Sequence, residues 1–189
     1  MASPAPALAP LSRLTADEFE LLEERPGFIQ ELIEGVLVEM PRSHFGHQVV
    51  ASAIHLPLAN FTHQANIGVT MAETCYRLDD GNEFIPDLSV VFMDRFRAAD
   101  RKQIFRGAPD IAIEVVSSEP ALRLEAKLRA YLLCGAKSVW TVFPDFRSLR
   151  AHRSDGAIRN YEETDTLDDP SLPGIQLPLR ELFANLQSE

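Results

Sequence analysis

The stretch Pro109-Asp110-Ile111-Ala112-Ile113-Glu114-Val115-Val116 decides the fold of this chain. Its nearly continuous apolar and β-branched run is typical of a central strand that is covered on both faces. Ala121 to Leu133 has helical character with Gly135 just beyond it, and Ser138 to Phe143 is a second buried strand that ends at Pro144. Strand, helix and strand in this order form a crossover unit, so we expect the two strands to be parallel and their connection right-handed.

The rest of the chain supplies the elements that extend and cover this unit. Thr15 and Glu18 have the spacing of a capping box, which predicts a helix that begins at Ala16. Pro57 interrupts a helical pattern of apolar residues, so a kink or a break is expected there. The predicted fold class is α/β, an α+β mixed sheet flanked by helices. The other predicted elements are helices at about 16–24, 46–62 and 179–186, strands at 28–34, 36–40, 67–70, 74–78, 85–93, 149–152 and 157–161, and a turn at 80–82.

The composition is that of a globular protein. With 189 residues, 46% of them hydrophobic and 24% charged, the chain is expected to form a single domain at 14–189 after a disordered Ala/Pro-rich tail at 1–13. The tail lacks the features of a signal peptide, and no apolar run approaches the roughly 20 residues of a membrane span. Cys75 and Cys134 lie in apolar runs without metal-ligand spacing, which indicates buried free thiols in the cytoplasm.

The charge balance limits the ways in which the chain could bind nucleic acid. A net charge of −10 disfavours loose attachment to phosphates, because such binding depends on many Lys and Arg contacts. The negative net charge still allows a local basic rim around an acidic centre. A metal ion bound at such a centre would change its local charge. An acidic protein with no nucleic-acid partner stays open as an alternative.

Asp87 and Glu114 stand inside strand patterns that are otherwise suited to full burial. A buried carboxylate is costly unless it is paired, neutralised or bound to a metal ion. The two-residue period of a strand places Asp110, Ala112 and Glu114 on one face. Carboxylates that converge from neighbouring strands would suit a hard cation such as Mg²⁺. The alternative is that either acid lies at a strand end, where it caps a loop or pairs with an arginine.

A helix face follows the Glu114 strand. Arg123, Lys127 and Tyr131 recur at intervals of four residues, so they share one face of the predicted helix. Two cations early in a helix gain nothing from the helix dipole. One interpretation is a solvated face. The other is a face that overlooks the carboxylates and meets a negatively charged substrate.

These segments resemble a known group of proteins. The stretches FIPDLSVVF (84–92), GAPDIAIEVVSSE (107–119) and EAKLRAYLLCGAKSVWTVFPD (125–145) are similar to the PD-(D/E)xK nuclease superfamily, and within it to the Uma-two family of restriction endonuclease-like proteins, formerly a domain of unknown function. ELIEGVLVEMP (31–41) and HQVV (47–50) resemble the opening hairpin and the following helix of that family. The resemblance covers 14–145 and implies a restriction endonuclease-like core.

The resemblance also implies roles for individual residues. Asp87 and Glu114 would bind the metal ion, Mg²⁺ or Mn²⁺, and would form the catalytic set together with Glu31 and Lys127. Glu31 matches an acid that binds a second ion or orients the lysine. Val116 stands where the superfamily motif has its lysine, and Lys127 of the following helix matches the lysine in this family.

Two further residues enter through the resemblance. His47 matches a recurrent histidine and is expected to be a helix-capping or core contact rather than a catalyst. Asp110 also follows a proline and competes with Asp87 as a metal ligand, although the family position favours Asp87.

The implied activity is that of a metal-dependent endonuclease that hydrolyses DNA, acting as a homodimer so that two sites address two strands. The chain shows no GxSxG, P-loop, HExxH or paired CxxC motif, so the usual rival chemistries lack support. Two alternatives stay open: a nuclease-like fold that serves as a non-catalytic binding or assembly module, and an enzyme that acts on RNA or small phosphodiesters.

Overall fold

The computed structural model describes residues 13–42, 44–117 and 120–186. The predicted tail at 1–13 lies outside these residues except for Arg13, and the domain boundary stays a prediction. The helices are α1 Ala16–Glu20, α2 Phe45–Gln64, α3 Met93–Ala98, α4 Ala121–Leu133 and α5 Leu179–Leu182, with a 3₁₀ helix at Pro144–Phe146. The strands are β1 Phe28–Ile33, β2 Val36–Pro41, β3 Gly68–Ala72, β4 Tyr76–Arg77, β5 Glu83–Phe84, β6 Leu88–Phe92, β7 Phe105–Arg106, β8 Ile111–Val115, β9 Ser138–Phe143, β10 Ser148–Arg153, β11 Ile158–Tyr161, β12 Thr166–Leu167 and β13 Leu177–Pro178.

The main sheet is mixed, as the sequence predicts. Its strand order is β11-β10-β9-β8-β6-β3. β8 and β9 are parallel, and every other neighbouring pair in this sheet is antiparallel. The predicted parallel pairing of the two strands that α4 connects is therefore confirmed. A second sheet, in the order β2-β1-β5-β4-β7, begins with the predicted hairpin of β1 and β2.

The two faces of β8 belong to two different hydrophobic cores. Ile111, Ile113 and Val115 pack in a core with α2 and the C-terminal segment. Ala112, on the opposite face, packs in a second core with α4 and the second sheet. The strand is therefore covered on both faces, as its apolar run predicts. The alternation also turns Glu114 toward α4.

Helix α2 continues through Pro57, so a break there is wrong, and a kink stays a prediction. A proline inside a helix removes one hydrogen bond and costs about 3 kcal/mol. Val50, Ile54 and Leu58 of α2 are fully buried in the first core. Burial of such side chains contributes roughly 1.5–3 kcal/mol each, which is enough to offset the proline.

The strand predicted at 85–93 is shorter in the structure, since β6 begins at Leu88 and α3 begins at Met93. Pro86 has no N–H to donate, and the N–H of Ile85 donates to the Glu31 side chain instead of a neighbouring strand. Asp87 therefore precedes the strand rather than interrupting it. Helices α1 and α5 each end four residues before the predicted position.

Three other features bear on the predictions. The Thr15–Glu18 capping box is present. Cys75 and Cys134 are free, as predicted, but they are partly exposed rather than buried. No helix in the described part of the chain is both long and apolar enough to cross a membrane.

Gly68 of β3 provides a test of the main sheet. A Cβ at this position would lie 2.6 Å from the Val91 carbonyl oxygen of the neighbouring strand. Gly68→Ala is therefore expected to lower the free energy of unfolding by roughly 1–3 kcal/mol, measured by urea denaturation. Gly46→Ala is the matched control, because a Cβ there meets no atom within 4 Å and alanine favours the helix. Equal losses of stability in the two variants would contradict the packing of β3 against β6.

Candidate active site

A cavity of about 320 Å³ opens between the β1–β2 hairpin, the start of α2 and the start of α4. Asp87, Glu114 and Lys127 line it, so the structure brings three of the four predicted site residues to one cavity. Glu31, the fourth, is fully buried and contacts the cavity through Lys127. Arg42 and Arg123 add positive charge to the cavity wall.

Lys127 lies between two buried carboxylates. Its Nζ is 2.9 Å from Glu114 Oε1 and 2.9 Å from Glu31 Oε1. The whole residue is only 2% exposed, which excludes a solvated helix face at this position. Buried ion pairs of this kind depend on every partner, because removal of one leaves an uncompensated charge in the interior.

Glu31 ties the first hairpin to the segment that carries Asp87. Its Oε1 accepts hydrogen bonds from Lys127 Nζ and from the Ile85 N–H, at 2.9 and 2.8 Å. Its other oxygen, Oε2, is buried and has no hydrogen-bond partner among the described residues. Such a group is costly in a folded protein, which makes Glu31 a residue that stability alone does not explain.

Asp87 is held at both of its carboxylate oxygens. Oδ2 accepts the Val115 N–H at 2.7 Å, and Oδ1 lies 2.8 Å from His47 Nε2. Of the two roles expected for His47, helix capping is wrong, because His44 occupies the cap position of α2. The side chain is only 8% exposed, which agrees with the other expectation, a core contact. The contact with Asp87 was not predicted from the sequence.

Glu114 has a second neighbour on α4. The Tyr131 hydroxyl donates a hydrogen bond to Glu114 Oε1 at 3.0 Å. Burial, followed by the nearby Glu114 carboxylate, raises the pKa of Tyr131 well above its usual value. The hydroxyl therefore stays protonated and acts as a donor. The shared face of Arg123, Lys127 and Tyr131 overlooks the carboxylates, as one of the two sequence interpretations predicts.

Asp110, the competing ligand, belongs to a different part of the protein. Its Oδ2 accepts the Phe92 N–H at 2.8 Å and lies 3.2 Å from Arg95 Nη1. It does not line the cavity that Asp87 and Glu114 share. Asp110 therefore lies at a strand end and pairs with an arginine, which is the alternative that the sequence left open for Asp87 and Glu114. Of those two acids, Asp87 also lies at a strand end, directly before β6, whereas Glu114 lies within β8.

The donor set of the cavity suits a hard divalent cation. In the described part of the chain, no group of three or more His, Cys, Asp and Glu side chains is arranged to hold a metal ion. Magnesium does not require one, since it often binds through one or two carboxylates and completes its shell with water and substrate oxygens. Asp87 and Glu114 provide two carboxylates on one cavity. Each Asp87 oxygen keeps lone-pair capacity beyond its single hydrogen bond to His47 or Val115.

Removal of the Lys127 charge should destabilise the fold strongly. Lys127→Met leaves Glu31 and Glu114 buried without their shared cation, so we expect a loss of about 3–5 kcal/mol in chemical denaturation. Lys102→Met, at an exposed lysine, is the matched control and should have little effect. The double variant Glu31→Gln/Lys127→Met should recover part of the loss, because one buried charge is then absent. If Lys127→Met were as stable as Lys102→Met, that result would contradict the buried ion pairs of Lys127.

Comparisons with known proteins agree with this fold. Residues 16–183 match the model of the Uma2 family, which is described as "Putative restriction endonuclease". The crystal structure of a "putative nuclease belonging to DUF820 from Anabaena variabilis ATCC 29413" is similar over 90% of this chain and 98% of that chain, with a TM-score of 0.81 and 24% sequence identity. This likeness shows a shared fold. No match was found among curated proteins. Because the family model covers most of its length, this chain belongs to the Uma2 family.

Proposed function

We propose that this protein is a metal-dependent endonuclease that hydrolyses phosphodiester bonds of DNA. The observation that carries the proposal is the meeting of Asp87, Glu114 and Lys127 in one cavity. The three residues come from the segment before β6, from β8 and from α4. Membership of a family described as a putative restriction endonuclease supports the same activity.

Each of the four predicted residues has a role in the proposed reaction. Asp87 and Glu114, with the main-chain carbonyl of Val115, would hold Mg²⁺ or Mn²⁺. A bound divalent ion supplies Lewis-acid activation of water and stabilises negative charge on phosphoryl oxygens. Lys127 would orient the attacking water, help to deprotonate it, or stabilise the charge of the transition state. Glu31 holds Lys127 in place through the 2.9 Å contact between Glu31 Oε1 and Nζ.

The cavity wall supports a phosphate-containing substrate. Arg42 and Arg123 both line the cavity, and the Arg42 side chain is 62% exposed. Guanidinium groups match phosphate geometry well. These arginines provide the local positive charge that a protein of net charge −10 needs in order to attract a polyanion. We also propose a homodimer, in which two such cavities address the two strands of a duplex.

A cleavage assay tests the activity directly. Plasmid DNA, linear duplex DNA, single-stranded DNA and RNA are incubated with Mg²⁺, Mn²⁺ or a chelator. We expect metal-dependent cleavage of DNA that falls on the order of 10²–10³-fold or more in Asp87→Ala and in Glu114→Ala. Asp94→Asn, at an exposed acid of α3, serves as the control and should retain activity. Equal residual activity in the wild type and both alanine variants would contradict the proposal, and cleavage of RNA alone would reassign the substrate.

A second candidate function is a non-catalytic binding or assembly module. The observation in its favour is that Lys127 already pairs with both Glu31 and Glu114, so the fold carries its own counter-ion. This alternative predicts that calorimetry detects no divalent-ion binding. It also predicts that Asp87→Ala leaves the melting temperature unchanged or raises it. The endonuclease proposal predicts that the wild type binds a divalent ion and that Asp87→Ala loses this binding.

A further inference from the structure

We propose that His47 and Tyr131 are positioning residues, which hold the carboxylates of Asp87 and Glu114 in the orientation that binds the divalent ion. The inference rests on the proposed function above. It extends that function to two side chains that the sequence did not assign to the site. Each acts through a carboxylate and not on the substrate.

His47 provides one half of the arrangement. Its Nε2 lies 2.8 Å from Asp87 Oδ1, and its side chain is 8% exposed. For this contact to be a hydrogen bond to the Asp87 carboxylate, Nε2 must carry a hydrogen that it donates. The Val115 N–H holds the other oxygen of Asp87 at 2.7 Å. Donors from α2 and β8 therefore fix the plane of the carboxylate from two directions.

The other ring nitrogen shows that His47 serves this contact and not packing alone. Nδ1 is buried and has no hydrogen-bond partner among the described residues. An unpaired polar atom in the interior opposes folding, and an apolar side chain of similar size would avoid that penalty. The hydrogen bond between Nε2 and Asp87 is the favourable contact that an apolar side chain at this position could not make.

Tyr131 provides the other half. Its hydroxyl donates to Glu114 Oε1 at 3.0 Å, and the residue is fully buried. Its ring packs edge-to-face on Phe84, with 5.2 Å between the ring centroids and an angle of 74°. This contact fixes the ring and hence the position of the hydroxyl. Lys127 Nζ contacts the same Glu114 oxygen at 2.9 Å.

The two donors come from helices that pack in different cores. Buried residues of α2 belong to the core on one face of the main sheet, and buried residues of α4 belong to the core on the other face. Asp87 is thus oriented by one helix and Glu114 by the other. Groups that orient metal-binding side chains typically change metal affinity 10–100-fold when they are removed.

Calorimetric titration with Mn²⁺ alone tests the proposal without any substrate. Tyr131→Phe and His47→Phe are expected to bind Mn²⁺ roughly 10–100-fold more weakly than the wild type. His47→Gln keeps an amide donor and should retain most of the affinity. Two matched controls should bind as the wild type does: Tyr76→Phe, a fully buried tyrosine that bonds Ser89, and His63→Phe, an exposed histidine near the end of α2.

Melting temperatures separate positioning from a general loss of stability. Tyr131→Phe and Tyr76→Phe each remove one buried hydroxyl bond, so they should lower the melting temperature by similar amounts. His47→Phe removes both the unpaired Nδ1 and the bond from Nε2 to Asp87, so the two changes offset each other and its melting temperature should stay close to that of the wild type. Weaker Mn²⁺ binding in a protein that is no less stable is a result that a structural role does not produce.

Several outcomes would overturn the inference. Wild-type affinity in both Tyr131→Phe and His47→Phe would refute it while leaving the proposed metal site intact. If Tyr76→Phe lost as much Mn²⁺ affinity as Tyr131→Phe, the weaker binding would come from a less well packed core and not from the loss of a positioning residue. Complete loss of binding in His47→Phe and His47→Gln alike would make His47 a ligand rather than a positioning residue. Absence of Mn²⁺ binding in the wild type would refute the proposed metal site itself, and this inference with it.

Discussion

The ion-pair cluster of Lys127 with Glu31 and Glu114 is the interaction on which the rest of the structure depends. Two carboxylates with almost no solvent exposure would oppose folding unless a cation lay between them, and the ammonium group of Lys127 supplies it at 2.9 Å from each. Glu31 belongs to the hairpin, Glu114 to the main sheet and Lys127 to α4. The cluster therefore joins both sheets and a helix, and two of its three members, Glu114 and Lys127, line the cavity.

Much of this arrangement follows from local patterns in the sequence. The apolar run of β8 predicts its burial, and its two-residue period predicts that Glu114 and Ala112 share a face. The four-residue spacing in α4 places Lys127 and Tyr131 together, and the structure turns both toward Glu114. Strands β4, β5 and β7 have two residues each, which is too short for any periodicity to be visible. Of these three strands, only β4 lies within a predicted strand, at 74–78, and β5 and β7 could not be predicted for this reason.

The sheet topology determines which of the two Pro-Asp pairs lies at the cavity. Pro86-Asp87 and Pro109-Asp110 look equivalent in the sequence. In the structure β6 and β8 are antiparallel, with Leu88 opposite Ile113, so the start of β6 lies beside the end of β8. Asp87 therefore meets Val115, whereas Asp110 lies at the opposite end beside Phe92. The contact between His47 and Asp87 could not be predicted from local patterns, because the two residues are 40 positions apart in the sequence.

The central claim is that Asp87 and Glu114 hold a divalent ion in the cavity beside Lys127. Anomalous diffraction from a crystal of the protein grown with Mn²⁺ tests this claim most directly. We predict a peak in the cavity at about 2.1 Å from a carboxylate oxygen of Asp87 and at the same distance from one of Glu114. A cavity without a peak, or a peak that contacts neither carboxylate, would contradict the account.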